Sequence, residues 1–129
     1  MESKQIIICR TDLGMSCGKA ATAAAHASTK VFLNLMNNTE TNEVDYDEST
    51  IKAIEDWSNG EFRKIVLRAN SEEELVDIFE KARYMRIPCA LITDNGETEF
   101  NGVKTIVSAA IGPDEEEKLD KLTAHLKLL

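Results

Sequence analysis

Cysteine, proline, histidine and aromatic residues are all scarce in this chain. Its 129 residues include three Cys, two Pro, two His and 5% aromatics. Cys9, Cys17 and Cys89 are odd in number and show no Cys-x-x-Cys spacing, which argues against a disulfide framework and favours reduced thiols in the cytoplasm. With two histidines and no Cys/His cluster, we expect no structural zinc site.

Long hydrophobic runs are also missing. No apolar stretch approaches the roughly 18 residues of a membrane span. The first residues, MESKQIIICRTD, contain only a short apolar run, so we expect a strand there and no signal peptide. Hydrophobic residues make up 43% and charged residues 29%, which is typical of a globular protein. The length suits one cytoplasmic domain over residues 1–129.

Acidic residues outnumber basic ones, and the formal net charge is −8. This negative charge argues against nucleic-acid binding, because surfaces that bind phosphates are usually rich in Lys and Arg. The acids are concentrated in residues 37–56, 71–80 and 113–120. The first 36 residues hold Lys4, Arg10, Lys19 and Lys30 against Glu2 and Asp12. The distribution leaves room for a locally positive face near the N-terminal segment.

The hydrophobic pattern predicts the element order β-α-α-β-α-β-β-α. Strands are predicted at 4–10, 62–69, 89–94 and 103–112, and helices at 19–36, 49–59, 71–87 and from Pro113 onward. Ser49 and Ser71 are predicted helix caps, and Pro113 is predicted at the first position of the last helix. The final segment HLKLL is expected to pack as a last strand or as a helix end.

This order predicts an α/β sandwich with a largely parallel sheet, because strands that alternate with helices usually pair in parallel. The short turn between the third and fourth strands predicts one antiparallel pair.

The segment GMSCGKA, residues 14–20, invites comparison with a nucleotide-binding P-loop. The segment does not match the P-loop pattern, because the spacing from Gly14 to Gly18 is one residue short and Ala20 offers no hydroxyl for Mg²⁺. A glycine turn before a helix start still places backbone N–H groups beside Lys19, which favours an anion.

Lys19 and His26 fall on one face of the predicted helix, since residues i and i+7 lie about two turns apart. A groove along this face would contain both side chains. The alternative, that His26 is an ordinary hydrogen-bonded packing residue, stays open on spacing alone. His125 and Cys17 are not expected to take part in catalysis.

Three groups of residues resemble the type II peptidyl-tRNA hydrolases in order and approximate spacing. The first is Asp12-Leu13 followed by Met15, Gly18-Lys19 and His26; the second is Asp94-x-Gly96-x-Thr98; the third is Ile111-Gly112-Pro113. The resemblance implies hydrolysis of the ester between a peptide and tRNA, which recycles peptidyl-tRNA dropped by stalled ribosomes. It also implies a three-layer α/β/α sandwich with a four-stranded mixed sheet, no metal or cofactor, and a homodimer.

The resemblance also implies the site residues. The catalytic positions fall on Lys19, His26, Asp94 and Thr98, and the substrate-binding positions on Asp12, Gly18, Lys19 and Gly96. Asp94, with His26, would orient a water or accept its proton, Lys19 would hold a phosphate or the developing oxyanion, and Thr98 would orient Asp94 or the ribose. Ordinary structural roles remain open, above all for Asp12 as a cap of its own turn.

Two departures leave a second function open. Ala23 stands where the family usually has a glutamine, and Glu97 stands where many members carry a base. An alanine cannot replace the hydrogen bonds of an amide, and an added acid repels tRNA. The two hypotheses are an active peptidyl-tRNA hydrolase and a catalytically weak member that acts as a binding module.

Overall fold

A computed structural model describes residues 2–37, 46–96 and 99–129. The elements in this part of the chain are β1 (Ser3–Arg10), α1 (Cys17–Asn37), α2 (Glu48–Asn59), β2 (Lys64–Ala69), α3 (Glu72–Tyr84), β3 (Cys89–Asp94), β4 (Thr105–Glu115) and α4 (Glu116–Thr123). The predicted order is confirmed. None of these helices has the length and apolar character needed to cross a membrane.

The four strands form one mixed sheet in the order β2-β1-β4-β3. β1 and β2 pair in parallel, and β4 is antiparallel to both β1 and β3. Three strands therefore share one direction, and the antiparallel β3–β4 pair is confirmed. The second antiparallel pair, β1 with β4, was not predicted, because it joins segments far apart in the chain and no local turn announces it.

The central strand β1 is buried on both faces, which explains its continuous apolar run. Ile6 and Ile8 lie in a core with residues of α3 and α4, whereas Ile7 and Cys9 lie in a second core with residues of α1. α2 lies beside α1, since Phe32 and Trp57 stack. Two helices thus cover each face, and the α/β/α sandwich is confirmed.

The predicted cap of α3 is correct and that of α2 is wrong. The hydroxyl of Ser71 accepts a hydrogen bond from the Glu74 amide at 3.1 Å. α2 begins at Glu48, one residue earlier than predicted, and Asp47 is its N-cap without a side-chain cap bond. Ser49 therefore lies inside the first turn of α2, where it cannot act as the cap.

The prediction that Pro113 begins the last helix is also wrong. β4 continues through Pro113 to Glu115, and α4 begins at Glu116. The reason is mainly long-range: Asp114 and Glu115 pair with Lys4 and Ser3 of β1. The buried carboxylate of Asp114 also accepts a hydrogen bond from Thr50 at 3.2 Å, besides one from nearby Lys118 at 3.1 Å. The pairing with β1 is not revealed by the local proline signal.

The C-terminal tail pairs with β2 through an isolated antiparallel bridge between Leu67 and Leu128. The Arg68 amide donates to the Lys127 carbonyl at 2.9 Å, and the Leu129 amide donates to the Val66 carbonyl at 3.1 Å. Of the two options for HLKLL, the observed pairing is nearer to the strand, but it is a single bridge and forms no strand. The tail satisfies backbone groups of an edge strand that would otherwise be open to pairing with another chain.

We predict that Trp57 is a large contributor to stability. It is 2% exposed, its ring stacks on Phe32 at 5.6 Å, and its indole N–H donates to the Arg63 carbonyl at 2.7 Å. Trp57→Ala should lower the free energy of unfolding by about 3–5 kcal/mol in urea denaturation, because it leaves a cavity and an unpaired carbonyl. Tyr84→Ala, at a side chain 90% exposed, should change it by less than about 0.5 kcal/mol. Equal effects of the two substitutions would contradict this role.

Candidate active site

The candidate site lies where β1 and β3 end and α1 begins. β1 and β3 run in the same direction, because each is antiparallel to β4. Their carboxyl ends therefore reach the same edge of the sheet. Asp94 is the last residue of β3, and Lys19 lies in the first turn of α1, which follows β1 after a short turn. This topology brings the two charged side chains together.

The first turn of α1 is fixed by Ser16. Gly14 adopts φ +63°, a conformation that side chains disfavour, and lets the chain turn towards the helix. The Ser16 hydroxyl then accepts a hydrogen bond from the Lys19 amide at 3.2 Å. Ser16 is therefore the N-cap, and Lys19 occupies the third helical position with its side chain directed towards β3.

Lys19 and Asp94 form an ion pair that is largely shielded from solvent. The Lys19 ammonium donates to Oδ2 of Asp94, and the two side chains are 14% and 16% exposed. Oδ1 of Asp94 accepts a hydrogen bond from the Gly96 amide at 2.7 Å. The Lys19 hydrogen bond, followed by that from Gly96, lowers the pKa of Asp94, and His26 adds a smaller electrostatic effect in the same direction. Asp94 is therefore a carboxylate at neutral pH.

Gly96 is required by the geometry of the turn after β3. It has φ +84°, and a Cβ there would lie 2.5 Å from the backbone N and O of Val103. The Gly96 carbonyl also accepts a hydrogen bond from the Gly102 amide at 2.7 Å. Any side chain at this position would displace the N–H that holds Asp94.

Thr98 and Glu97 lie outside the described residues, so their predicted roles stay predictions.

A cavity of about 120 Å³ opens beside the ion pair. Its walls include Lys19, Ala23, His26 and Asp94, together with Ile92, Thr93 and Val107. His26 is exposed, whereas Ala23 is only 2% exposed and its carbonyl accepts a hydrogen bond from Ser108 at 2.8 Å. Three of the four predicted catalytic residues thus line one cavity, and His26 is not a buried packing residue.

Asp12 and Gly18 lie near the site but do not line this cavity. The Asp12 carboxylate binds the Arg10 guanidinium through two hydrogen bonds of 2.6 and 3.0 Å, and this contact lowers the pKa of Asp12. Arg10 also donates to the Ile106 carbonyl at 2.9 Å, which fixes the end of β1 to β4. Gly18 is exposed in the first turn of α1. Their substrate-binding roles stay predictions.

Glu99 and Phe100 were not predicted as parts of the site. The Glu99 carboxylate accepts hydrogen bonds from the Ser16 amide at 3.2 Å and from the Ser16 hydroxyl. The ring centroid of Phe100 lies 5.8 Å from the Lys19 ammonium. The anion expected at the start of α1 is thus supplied in part by the chain itself. No local pattern links Glu99 to Ser16, and only the fold reveals the contact.

Most of the basic residues thought to form a positive face are already paired. Lys4 binds Asp120 at 2.7 Å, Arg10 binds Asp12, and Lys19 binds Asp94. Lys4 also lies at the opposite end of β1 from the site. The described residues contain no group of three or more His, Cys, Asp or Glu side chains arranged to hold a metal ion.

Comparisons with known proteins identify the family of this chain. A family model described as "Peptidyl-tRNA hydrolase PTH2" matches residues 3–129. A peptidyl-tRNA hydrolase of Methanocaldococcus jannaschii is 38% identical over 126 residues, with 98% of this chain and 99% of the relative covered. One of Nanoarchaeum equitans is 37% identical over 125 residues, covering 97% of each chain. A probable peptidyl-tRNA hydrolase 2 of Dictyostelium discoideum is 35% identical over 128 residues, covering 98% of this chain and 55% of the relative. The chain therefore belongs to the PTH2 family of peptidyl-tRNA hydrolases.

We predict that Lys19→Met raises the pKa of Asp94 towards its ordinary value, because the substitution removes the largest cause of the depression. ¹³C NMR titration of the Asp94 carboxyl measures it directly. A depressed folded-state pKa stabilises the protein above the ordinary Asp range and loses this contribution as the pH falls through the depressed value. Lys81→Met, which breaks an exposed ion pair with Asp77, is the matched control and should leave the Asp94 titration unchanged.

Proposed function

We propose that Lys19, His26 and Asp94 form the centre at which this chain hydrolyses the ester between a peptide, or an N-blocked amino acid, and the 3′ end of tRNA. The observation that carries the proposal is the shielded Lys19–Asp94 ion pair in the wall of a cavity that His26 also lines. Ester hydrolysis needs an oriented water and a donor for the developing oxyanion, and this cavity offers groups of both kinds.

Asp94 acts mainly by orienting the attacking water. Its pKa is held below the ordinary range, so the carboxylate is a weak base but a permanent hydrogen-bond acceptor. The Gly96 amide fixes one oxygen of Asp94, which leaves the carboxylate few ways to turn. His26, exposed on the same helix face as Lys19, is placed to accept the proton that the water releases.

Lys19 supplies positive charge in a partly shielded site, where a charged donor is worth more than in open water. Its ammonium carries three N–H donors and gives one to Asp94. The remaining donors are available for the developing oxyanion or for the phosphate of the terminal nucleotide. Thr98 orients Asp94 or the ribose, and Asp12, Gly18 and Gly96 contact the substrate around this centre.

We predict that the purified chain hydrolyses a labelled N-blocked aminoacyl-tRNA at low salt without added metal. Lys19→Ala and Asp94→Ala should each lower kcat/KM by about 10²-fold or more, because each removes a charge from the reacting centre. Lys81→Ala is the matched control. A folded wild-type chain that releases no tRNA would instead support the binding module, and Ala23→Gln with Glu97→Arg would then test whether those two positions had silenced it.

We further propose that the protein is a cytoplasmic homodimer. In the described residues β3 pairs only with β4, and Leu33 and Met36 of α1 are 43% and 78% exposed, so a sheet edge and an apolar helix face are both available.

We predict a mass of two chains in light scattering after size exclusion, and Met36→Glu should shift it to one chain if the α1 face is the contact. A dimer that survives this substitution would place the contact elsewhere, with the edge of β3 as the next candidate. A wild-type protein that elutes as one chain at micromolar concentration would contradict the dimer.

A further inference from the structure

Two contacts join the start of α1 to the end of β3 and to the segment that follows it. Ser16, the N-cap of α1, contacts Glu99, and Lys19 in the first turn of α1 contacts Asp94 at the end of β3. The Ser16 hydroxyl also accepts a hydrogen bond from the Lys19 amide at 3.2 Å, so the two contacts are adjacent. Glu99 and Asp94 are therefore both attached to the start of α1.

Backbone hydrogen bonds connect the described parts of the segment between β3 and β4. Its base is held by the hydrogen bond from the Gly102 amide to the Gly96 carbonyl at 2.7 Å, and the Val103 amide donates to the Phe100 carbonyl at 2.9 Å. A displacement of Glu99 would therefore pass through this network to Gly96, whose N–H holds Asp94.

Phe100 directly follows Glu99 in the chain. Its ring centroid lies 5.8 Å from the Lys19 ammonium, which is within the range of a cation–π contact. The contact between Glu99 and Ser16 thus lies next to a second contact that reaches Lys19.

We propose that Glu99 and Ser16 form a latch that positions Asp94 and Lys19 for hydrolysis. The inference rests on the proposed function and adds to it a positioning residue, Glu99, that touches neither the substrate nor the reacting atoms. Glu99 acts through the backbone hydrogen bonds that link Phe100, Val103, Gly102 and Gly96, and through the Phe100 ring. A misplacement of reacting groups by about 1 Å costs up to 10²-fold in rate, so a weak surface contact can have a large catalytic effect.

The alternative is that Glu99 hinders substrate binding, a role called a plug below. A carboxylate at the start of α1 takes a position that favours anions, and it repels a polyanionic substrate. The two roles predict different effects of removing Glu99 on kcat and KM. Removing a latch lowers kcat and leaves KM nearly unchanged, whereas removing a plug lowers KM and leaves kcat unchanged or raises it.

The first experiment measures kcat and KM for Glu99→Ala, Ser16→Ala and the double variant with the N-blocked aminoacyl-tRNA. Each single variant should lower kcat about tenfold with KM within about twofold, and the double variant should be no worse than Ser16→Ala, because both remove one contact. A lower KM with an unreduced kcat, additive losses, or unchanged kinetics would each overturn the latch.

Ser71→Ala and Glu74→Ala are the matched controls. Ser71 caps α3 as Ser16 caps α1, and the Glu74 carboxylate accepts a backbone N–H, from Asn70 at 2.8 Å. These substitutions cost similar helix-capping stability away from the site, so kcat should stay at the wild-type value. Ser16→Thr, which keeps the hydroxyl, should also retain it. An equal loss of kcat in the controls would mean that the effect is one of stability alone.

The second experiment does not depend on hydrolysis. NMR titration of the Asp94 carboxyl should give a higher pKa in both Ser16→Ala and Glu99→Ala than in the wild type, because the Lys19 contact loosens. Ser16→Ala keeps the Glu99 charge, and loss of that charge alone would lower the pKa of Asp94, so a rise reports the contact itself. Glu74→Ala should give no change. An unchanged titration would refute the latch.

The failure of the latch can be distinguished from that of the proposed function. If Asp94→Asn abolishes hydrolysis while Glu99→Ala has wild-type kcat and KM, only the latch fails. If Asp94→Asn is fully active, the proposed function fails and the titration still decides whether the latch exists.

Discussion

The ion pair between Lys19 and Asp94 joins residues 75 positions apart, and the site depends on the sheet that brings them together. β4 lies between β1 and β3 and is antiparallel to both, so β1 and β3 end at the same edge of the sheet. If β3 ran the other way, Asp94 would lie at the far end of the sheet from α1. The antiparallel β1–β4 pairing is thus a condition for the Lys19–Asp94 contact as well as for the core.

Charge compensation inside the chain limits how this protein meets a polyanion. With a net charge of −8, it has little long-range attraction for tRNA, and Arg10 and Lys19 are already bound to carboxylates. In the proposed mechanism, affinity comes from local contacts near Lys19. A phosphate that binds Lys19 there would compete with Asp94 for the ammonium, which couples binding to the orientation of Asp94. This coupling makes the rigidity of the β3–β4 turn important.

The parts of the structure that follow from local chemistry could be predicted from the sequence. The alternation of elements, the Ser71 cap and the helix stripe that carries Lys19 and His26 all depend on residues within a few positions of one another. The misplaced start of the last helix and the unpredicted contact of Glu99 have long-range causes. Pro113 looks like a helix start, but the next two residues pair with β1 and the buried Asp114 contacts Thr50, which keeps the segment in the sheet. Glu99 gives no local signal, because its partner Ser16 is 83 residues away.

Ala23 shows how the cavity and the chemistry are linked. Its methyl group is almost fully buried between α1 and the sheet, and its carbonyl is bound to Ser108, so the helix backbone here cannot move away from β4. Ala23 stands where the resemblance implies a glutamine, and its methyl group leaves this part of the cavity wall without a side-chain amide. In the proposed mechanism the orientation of the attacking water therefore falls to Asp94, and the contacts that hold Asp94 in place matter correspondingly more.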